Sequence, residues 1–488
     1  MKLNKLLRAC HLKPVAMRRD VTMRGITANS KEVRNKFMFV AVAGNRADGH
    51  RFVEEAVARK AGAVVVERVC KSLRAAVANV PLIKVKDSRK ALGMMAAHFY
   101  GNPAQSLKVI GVTGTNGKTT ITYLIEAILA QAGYSAAVVG TVNHRFKSTV
   151  IPSHNTTPGP IELQQLLSQM VRGKTEFVAM EVSSHALDQQ RVAGISFHSA
   201  IFTNLTQDHL DYHQTMNNYF QAKSKLFQAL SPDAFALINA DDPWARRLAC
   251  LTKAEVITFG LQRKSDIMAE DIILSPSKTS FCLKTHKEKR LFSINLIGQH
   301  NVVNVLAAVA WAMRSGIDLT TIQRAVERFV CVPGRLEKID SPRQGFCVFV
   351  DYAHTEDALA HAIGSLRNLT KKRVLVVFGC GGERDKDKRP KMGNVVSRLA
   401  DFAIVTNDNP RSEEPERIIA DITKGMQKDN YCVIPERMAA IKQSLTLATA
   451  GDVVLIAGKG HENYQVIGNQ SLLFDDREAV KACLKSMR

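Results

Sequence analysis

The chain has 488 residues, a formal net charge of +22 and 45% hydrophobic residues. This length exceeds what one hydrophobic core supports and indicates roughly two to four domains of a soluble protein. No apolar run reaches the roughly 18 residues of a membrane span, and the start, MKLNKLLRACHLKP, lacks the apolar segment of a secretion signal. The nine cysteines include no CxxC pair, which indicates reduced thiols and a cytoplasmic protein rather than a disulfide framework or a zinc site.

The excess of basic residues admits two interpretations. It could serve nucleic acid binding, or it could form a solvated surface that attracts anionic substrates. Basic residues are spread along the chain, and aromatic residues make up only 6% of it, so a base-stacking platform has little support. We therefore favour anionic small molecules and expect no nucleic acid partner.

The first part of the chain predicts a small α/β domain over residues 1–100. Its apolar runs at 37–43, 63–67 and 82–85 are typical of short strands. The stretch FYGNPAQSLK (99–108) is rich in turn-forming residues and is typical of a connector between domains.

From 101 to 332, strand-like runs alternate with helical patterns, which predicts a doubly wound, mostly parallel sheet. Its strands are expected at 109–113, 136–142, 177–182, 200–205, 234–239 and 255–259. After a second connector, CVPGRLEKIDSPRQG (331–345), further strands are expected at 348–352, 374–379, 402–406 and 453–457. They predict a Rossmann-like third domain over 333–488, and without GxGxxG after its first strand no dinucleotide is implied.

The stretch VIGVTGTNGKTTITYLIEAIL (109–129) has the pattern of a strand, a glycine-rich turn and a helix. Backbone amides at a helix N-terminus bind anions, and Gly114 and Gly117 would let the backbone approach a phosphate. Lys118 can reach outer phosphates, and the Thr119 hydroxyl can bind Mg²⁺. Val112 replaces the first glycine of the common P-loop pattern, so the match is to a variant. A turn with polar helix caps is the plain alternative, but the lysine between a glycine and two threonines favours nucleotide binding.

Polar residues follow the ends of other central strands, where ligands of open α/β sheets gather. Glu181 ends FVAMEV (177–182) and is suited to hold Mg²⁺ beside the P-loop. His209, in TNLTQDHLDYH, is a less usual Mg²⁺ ligand, and a surface or capping role is the alternative. Asn301 and Asn304, in GQHNVVN, could contact an adenine edge or simply cap a helix.

Four polar loops follow strands of the third block. They contain Asp351 and His354 in FVDYAHTEDAL, Arg384 after the glycines of GCGGERD, and the motifs DNPR and AGKGHE. A charged, solvated loop is the plain alternative for the Arg384 segment. Four such loops on one sheet edge favour instead an anion or zwitterion site in a cleft that faces the nucleotide loop.

Ten motifs occur in order along nearly the whole chain: TGTNGKTT, NTTPGP, EVSSHAL, TNLTQDHLDYH, GQHNVVN, VPGRLE, DYAHT, GCGGERD, DNPR and AGKGHE. Together they resemble the Mur ligase family, in particular the members that add the third residue of the peptidoglycan stem peptide. The resemblance implies three domains, which bind a UDP-linked substrate, ATP and an amino acid. It implies an ATP- and Mg²⁺-dependent ligase that activates UDP-N-acetylmuramoyl-L-alanyl-D-glutamate as an acyl phosphate in the cytoplasm. We expect a monomer without a membrane span.

The resemblance also implies the site residues. Catalysis would involve Lys118, Lys223, His209 and Glu181, and the metal would be held by Thr119, Glu181, His209 and a carbamylated Lys223. ATP would contact Gly114, Thr115, Asn116, Gly117, Lys118, Thr119, Thr120, Asn301, Arg335, Asp351 and His354. The UDP-linked substrate would contact Ser30, His50, Thr156, Thr157, Ser184, Gln190 and Arg191. The amino acid would contact Arg384, Asp408, Asn409, Pro410, Arg411, Gly458 and Glu462.

The motif DNPR resembles the form found in relatives that add meso-diaminopimelate. Arg411 would then pair with a distal carboxylate that L-lysine lacks, and such a bidentate pair discriminates strongly. We therefore expect meso-diaminopimelate as substrate; L-lysine, a folylpolyglutamate-synthase-like ligase and a basic nucleic-acid-binding ATPase are the alternatives. At TANSKEV (27–33), Asn29 and Lys31 replace the family's usual Asp and Arg, a departure that concerns the uridine contacts.

Overall fold

The structure is a computed structural model that describes residues 1–16, 20–44, 47–77, 79–275, 278–341 and 345–487. Its main sheets, of four, eleven and six strands, belong to three successive α/β blocks. Within the described ranges, no helix combines the length and apolar character needed to cross a bilayer.

The N-terminal block is a parallel sheet with helices on both faces. The strands, in their order across the sheet, are β1 (Gly25–Thr27), β2 (Phe37–Val40), β3 (Ala63–Val66) and β4 (Leu82–Lys84). The helices are α1 (Leu3–Ala9), α2 (Val53–Ala58), α3 (Lys71–Ala76) and α4 (Ser88–Phe99). Alternate residues of β2 and β3 enter two separate apolar clusters, which is why these strands are apolar throughout. The three predicted strands are present as β2, β3 and β4, and the sequence prediction missed β1.

The central block is built on an eleven-stranded sheet. The strands are β5 (Lys108–Thr113), β6 (Ala136–Val139), β7 (Asn143–Phe146), β8 (Thr149–Pro152), β9 (Phe177–Glu181), β10 (Ser199–Phe202), β11 (Phe235–Asn239), β12 (Glu255–Gly260), β13 (Ile267–Leu274), β14 (Thr279–Lys284) and β15 (Lys289–Ile294). The order is β15-β14-β13-β12-β11-β10-β5-β9-β6-β7-β8. All pairs from β13 to β6 are parallel, and the pairs at both edges are antiparallel.

The central helices cover both faces of this sheet, which confirms the doubly wound arrangement. They are α5 (Lys118–Gln131), α6 (Pro160–Arg172), α7 (Ser184–Asp188), α8 (Leu210–His213), α9 (Met216–Gln228), α10 (Ala245–Ala249), α11 (Gln299–Arg314) and α12 (Leu319–Arg328). Apolar residues of α5, α11 and α12 form one cluster, and those of α6 and α9 form another. The six predicted strands correspond to β5, β6 and β9–β12. The sequence prediction missed β7, β8 and β13–β15, whose half-exposed, alternating faces lack the continuous apolar runs of the sheet centre.

The C-terminal block has a six-stranded sheet in the order β16 (Glu337–Ile339), β17 (Cys347–Asp351), β21 (Val453–Ala457), β18 (Val374–Phe378), β19 (Phe402–Val405) and β20 (Tyr431–Val433). Only the β16–β17 pair is antiparallel. The helices are α13 (Glu356–Arg367), α14 (Lys388–Leu399), α15 (Pro415–Thr423), α16 (Arg437–Leu447) and α17 (Asp476–Ser486), and β22 (Tyr464–Ile467) with β23 (Gln470–Leu473) forms a hairpin. The four predicted strands are all present.

The N-terminal block packs closely on the central one through glycines. A Cβ built on Gly93 in α4 would lie 2.7 Å from the Cβ of Ala193, and one built on Gly194 would lie 2.8 Å from the Cβ of Ala97. Neither glycine can gain a side chain without a shift of the backbone opposite. The small residues therefore set how closely α4 approaches the central block.

Candidate active site

The loop between β5 and α5 curls around the Lys118 side chain. Its Nζ donates to the carbonyl oxygens of Gly114 at 3.0 Å and Thr115 at 2.8 Å. Gly114 and Gly117 have φ angles of 148° and 88°, and a Cβ on Gly114 would lie 1.8 Å from the Thr203 hydroxyl oxygen. Only glycine fits that position. Burial lowers the pKa of Lys118, and Glu181 and Asp208 partly offset this effect.

The end of β10 supports the same loop. The backbone amide of Thr115 donates to the carbonyl of Asn204 at 2.9 Å, and the amide of Asn116 donates to the Asn204 side-chain oxygen, also at 2.9 Å. The Thr115 hydroxyl lies 3.3 Å from the Tyr219 hydroxyl, and Thr120 is buried in the first turn of α5. The loop is thus held in shape by the neighbouring strand and by α9.

Glu181 ends β9, which pairs directly with β5. Its carboxylate is buried and accepts hydrogen bonds from the hydroxyls of Thr119 at 3.1 Å and Thr141 at 2.9 Å, and from the Thr141 amide at 2.8 Å. A Cβ on Gly140 would lie 2.3 Å from this carboxylate. The structure therefore brings Glu181 and the P-loop threonine together.

Lys223 of α9 also contacts the P-loop. Its side chain is buried, and Nζ donates to the Gly114 carbonyl at 2.7 Å. The same Nζ lies 4.5 Å from the centre of the Tyr219 ring. Burial first, and then the positive charge of Lys118, hold the pKa of Lys223 well below its ordinary value. This environment therefore disfavours the charged ammonium form of Lys223.

His209 lies at the start of α8 within a group of aromatic and imidazole rings. Its ring centroid is 4.8 Å from that of His185 and 6.2 Å from that of Tyr219. Its Nε2 lies 3.4 Å from a carboxylate oxygen of Asp208. In the described part of the chain, no three His, Cys, Asp or Glu side chains are arranged to hold a metal ion.

Arg335 connects the C-terminal block to the P-loop. Its Nη2 donates to the Thr119 hydroxyl at 3.2 Å, and its guanidinium carbon lies 4.6 Å from the centre of the Tyr352 ring. Its Nε is buried and has no hydrogen-bond partner among the described residues. His354 pairs through Nδ1 with the Tyr352 carbonyl at 2.8 Å, and burial lowers its pKa to about 4. Both side chains therefore stand at the boundary between the two blocks.

Asp351 ends β17 and bonds to the backbone on both sides of that region. Its carboxylate oxygens accept from the backbone amides of Leu336 at 2.6 Å and Ala353 at 2.7 Å. Burial raises its pKa, while Arg335 and these amides lower it. These hydrogen bonds tie Asp351, at the end of β17, to the backbone just before β16 and just after β17. Its predicted contact with ATP stays a prediction.

The sequence did not point to Asp357, although it touches the P-loop directly. One carboxylate oxygen accepts from the Asn116 side-chain amide at 2.8 Å and from the Thr206 hydroxyl at 3.0 Å. An acid in the first turn of α13 is an ordinary helix feature, so no local signal marks it. A cleft between the two blocks begins here and is lined by Thr206, Gln207, Asp208, Thr355, Glu356, Asp357, Ala360, Asp385, Lys388, Lys391, Val395 and Arg398.

The two asparagines of α11 are bonded to each other. Asn304 donates to the Asn301 side-chain oxygen at 3.1 Å, and Asn301 donates to the Ile297 carbonyl at 2.8 Å. A Cβ on Gly117 would lie 2.4 Å from the Asn304 side-chain oxygen. Asn301 thus bonds to the backbone just before α11, Asn304 lies against the P-loop, and the predicted contact of Asn301 with ATP stays a prediction.

Part of the predicted UDP-substrate set surrounds the end of β9. Thr157 donates to the Glu181 carbonyl at 2.8 Å and accepts from the Ser183 amide at 3.1 Å. Arg191 donates to the Thr157 carbonyl at 3.0 Å, and Thr156 accepts from the Thr141 hydroxyl at 3.1 Å. Two further members lie in the adjoining α7 region, Ser184 and Gln190.

The other two predicted members, Ser30 and His50, bond within the N-terminal block. Ser30 donates to Glu55 at 2.7 Å. His50 lies 2.7 Å from Asp48 through Nδ1 and accepts from the Glu67 amide at 3.0 Å through Nε2. Within the described residues, the hydrogen bonds of these two side chains do not reach the group around Glu181. Their contact with uridine stays a prediction.

Two loops of the C-terminal block interlock around Arg411. Its Nη1 donates to the carbonyls of Gly382 at 2.7 Å and Asn409 at 3.4 Å. The Gly382 amide donates back to the Asn409 carbonyl at 2.9 Å. A Cβ on Gly382 would lie 1.9 Å from the buried Pro410 carbonyl oxygen. The GCGG and DNPR loops can approach this closely only because Gly382 has no side chain.

Acidic and amide groups complete this pocket. The Asn409 side-chain amide donates to Glu462 at 2.9 Å, and a Cβ on Gly458, whose φ is 118°, would lie 2.6 Å from Asp408 Oδ2. Burial and the nearby Asp408 raise the pKa of Glu462. Arg384 is exposed and borders the same glycine, Gly381, as Arg411. The predicted amino-acid residues thus meet in one place.

The fold and the site define a class of P-loop α/β protein in which a phosphate loop faces a charged pocket of a second block. The chain belongs to the Mur ligase family. Residues 22–100 match the Mur ligase family catalytic domain, residues 112–312 the Mur ligase middle domain, and residues 334–460 the Mur ligase glutamate ligase domain.

Full-length relatives agree with this assignment. A UDP-N-acetylmuramoyl-L-alanyl-D-glutamate--2,6-diaminopimelate ligase of Geobacillus kaustophilus is 46% identical over 465 residues, 94% of each chain. Ligase 1 of that name from Clostridium acetobutylicum is 41% identical over 488 residues, all of both chains. A solved structure with the same enzyme name is 32% identical, covers 100% of this chain and 99% of its own, and has a TM-score of 0.72. A structure of MurF from Acinetobacter baumannii, 20% identical with a TM-score of 0.66, shares the fold.

Proposed function

We propose that this protein is an ATP-dependent ligase that joins meso-diaminopimelate to UDP-N-acetylmuramoyl-L-alanyl-D-glutamate, a step of peptidoglycan precursor synthesis. One observation carries the choice of amino acid: Arg411, Asn409 and Glu462 meet in one pocket. That pocket offers a guanidinium for a carboxylate and a carboxylate for an ammonium. Full-length relatives of this name at 46% and 41% identity support the rest of the assignment.

The reaction requires activation because a carboxylate has no good leaving group. An oxygen of the substrate's glutamate carboxylate attacks the γ-phosphorus of ATP, ADP departs, and an acyl phosphate forms. The unprotonated amine of the amino acid then attacks the acyl carbon. The tetrahedral intermediate expels phosphate, the nitrogen loses a proton, and an amide remains. The protein contributes mainly by positioning the reactants and neutralising charge.

Residues of the P-loop would hold the phosphates. Lys118 lies inside the loop, where it donates to the Thr115 carbonyl. Arg335 of the C-terminal block donates to the hydroxyl of Thr119, the next residue after Lys118. Two cations from different blocks can thus face the transferred phosphoryl group. We assign the remaining ATP contacts to Gly114, Thr115, Asn116, Gly117, Thr120, Asn301, Asp351 and His354.

A Mg²⁺ ion fits the oxygen donors beside the P-loop. Glu181 and Thr119 supply hard oxygen ligands in contact with each other. The ion would neutralise phosphate charge when bound. His209 would be a further ligand, though its imidazole is not a preferred donor for this metal.

Lys223 would join the metal site as a carbamate. An uncharged amine can attack CO₂, with loss of a proton, and the product carries the negative charge that a cation site needs. Burial and Lys118 lower the pKa of Lys223, which favours the uncharged form. A carboxylate-like group there would also pair with Lys118, which the free amine cannot do.

The UDP-linked substrate would lie along Thr156, Thr157, Ser184, Gln190 and Arg191, with its uridine toward Ser30 and His50. Arg384, Asp408, Pro410 and Gly458 would complete the amino acid pocket. We propose domain boundaries of 1–100, 101–332 and 333–488, a monomeric enzyme and action in the cytoplasm. None of the nine cysteines, which all lie within the described residues, forms a disulfide, which is compatible with that compartment.

The test is release of phosphate from ATP and Mg²⁺ with UDP-N-acetylmuramoyl-L-alanyl-D-glutamate, with either meso-diaminopimelate or L-lysine added. Release only with meso-diaminopimelate is the expected result. Release with L-lysine alone would retain the ligase chemistry and contradict the pocket assignment. Release with neither amino acid would overturn the proposed function, and stimulation by nucleic acid would favour the rival ATPase.

A further inference from the structure

A second fully buried lysine, Lys459, lies in the amino acid pocket and has no role so far. It stands between Gly458 and Gly460 in the loop after β21, and its side chain is 0% exposed. Its Nζ lies 3.2 Å from Asn409 Oδ1, 3.5 Å from Glu462 Oε2 and 4.0 Å from Asp408 Oδ1. These three partners are residues of the pocket itself, and the centre of the Tyr464 ring lies 5.6 Å from the same ammonium.

Lys459 determines which way the Asn409 amide points. Asn409 Oδ1 accepts from Lys459 Nζ and from the backbone amide of Val466 at 2.9 Å. Because an amide side chain has one acceptor end and one donor end, its NH₂ group is turned toward Glu462, 2.9 Å away. Without the ammonium, one of the two donors that fix this orientation is lost.

Lys459 also balances charge. Asp408 and Glu462 place two carboxylates in a buried pocket, and one lysine leaves a single negative charge for one incoming ammonium. Burial and Asp408 raise the pKa of Glu462, and Lys459 lowers it. The other charged or titratable groups that face Glu462 are Asp408, Tyr352, Tyr464 and Arg437. Arg437 already pairs with Asp476 at 2.7 Å, which leaves Lys459 as the cation nearest to Glu462.

We propose that Lys459 is a positioning residue that makes the pocket selective for the second amino group of a diamino dicarboxylic acid. It orients Asn409 and holds Glu462 as a carboxylate that faces that ammonium. The inference rests on the proposed function, in which Arg411 binds the neighbouring carboxylate. It predicts that Lys459 affects recognition of the second amino group far more than the chemistry at the P-loop.

The test compares wild type with Lys459→Met, Lys459→Arg and the matched control Lys442→Met, an exposed lysine of α16. Phosphate release is measured against meso-diaminopimelate and against 2-aminopimelate, which lacks the second amino group. Lys459→Met should raise the KM for meso-diaminopimelate by about tenfold or more while the KM for ATP and kcat stay within about threefold. The preference for meso-diaminopimelate over 2-aminopimelate should fall by a similar factor. Lys459→Arg should retain most of it, and Lys442→Met should match wild type.

The pH profile provides a readout that simple loss of packing would not move. In Lys459→Met, Glu462 takes up a proton more readily, so the acidic limb of kcat/KM for meso-diaminopimelate should move to higher pH. An unchanged profile and an equal loss on both amino acids would overturn the proposal.

A double variant keeps the proposal testable if Lys459→Met alone does not fold. In a Glu462→Gln background the carboxylate that Lys459 serves is absent. Adding Lys459→Met to it should change the KM for meso-diaminopimelate by less than about threefold. A further rise of about tenfold would show that Lys459 acts independently of Glu462 and would refute the inference. Absence of amino-acid-dependent turnover in the wild type would instead refute the proposed function.

Discussion

Two lysines, Lys223 and Lys459, are both fully buried, yet their surroundings are opposite. Lys223 donates to a backbone carbonyl at 2.7 Å and has Lys118 as its charged neighbour. Lys459 lies among Asn409, Glu462 and Asp408, at 3.2 to 4.0 Å. Burial alone disfavours the charged form of both side chains.

The difference shows that neighbouring charges decide what a buried lysine can do. Burial beside another cation lowers the pKa of the amine, which favours capture of CO₂. Between two carboxylates, the ammonium stays paired and can organise a charged pocket. The same residue type thus serves as a reactive group in one block and as a fixed charge in the other.

The largest expected effect on activity comes from removing the side chain of Lys223. Lys223→Ala should lower kcat on the order of 10³-fold, because the metal site loses its carbamate. Acetate or formate added to the assay should restore part of the activity. Lys225→Ala is the matched control, since Lys225 lies on the same helix and pairs with the half-exposed Asp188. Full activity of Lys223→Ala would remove the proposed role.

Arg437 is a buried cation that pairs with a single carboxylate, and its removal should affect the stability of the fold rather than the reaction. Arg437 and Asp476 form a pair with both side chains 0% exposed. Arg437→Met leaves a buried, unpaired carboxylate and should destabilise the C-terminal block by about 3–5 kcal/mol. Calorimetric unfolding measures this. The double variant Arg437→Met with Asp476→Leu should recover part of the loss, and a double variant as unstable as the single one would contradict the explanation.

Arg411 is the cation that we expect to bind the distal carboxylate of meso-diaminopimelate. Arg411→Met should raise the KM for meso-diaminopimelate on the order of 10²-fold, because the distal carboxylate loses a bidentate partner. The KM for ATP should stay within about twofold, since the P-loop is untouched. Arg417→Met, whose side chain is 80% exposed, is the control. Equal increases in both KM values would indicate general damage to the fold rather than loss of recognition.

The smallest effect concerns a carboxylate with a solvent-exposed partner. Burial raises the pKa of Asp452, but hydrogen bonds from Arg373 and Thr449 outweigh it and lower that pKa from 3.8 to about 2. Because the folded-state pKa is depressed, the stabilisation is complete above pH 3.8 and is lost as pH falls to about 2. Asp452→Asn should therefore cost about 1 kcal/mol at neutral pH, a value limited by the exposure of Arg373.

Thermal unfolding of wild type and Asp452→Asn across this pH range provides the measurement. The gap between the two midpoints should narrow toward the acid end. A gap that stays constant down to the lowest pH would mean that the ionised carboxylate contributes nothing.

The sequence predicted those parts of the site that follow from local pattern and from the geometry of parallel strands. Glu181 could be assigned to the P-loop because adjacent parallel strands end at one edge. The contact of Asp357 with Asn116 could not be predicted, because it depends on how two blocks dock. The burial of Lys459 could not be predicted either, because the residue stands in a loop, where a lysine is ordinarily exposed.

The antiparallel edges of the central sheet escaped prediction for a different reason. Strands β14 and β15 pair with each other in continuous register, but only alternate residues are buried. Their sequence therefore resembles a polar loop more than a buried strand. Asp351 stands in a motif at a strand end, where the sequence predicted a contact with ATP. In the structure its carboxylate accepts from two backbone amides.

The hydrogen bond from Asn116 to Asp357 joins residues 241 positions apart in the chain. It means that the nucleotide loop is not a self-contained module that could be excised or exchanged alone. A fragment ending before α13 would lack one of the side chains that hold Asn116, and a chimera would inherit a mismatched one. Loop and helix therefore form one unit for protein engineering, and grafts should carry both.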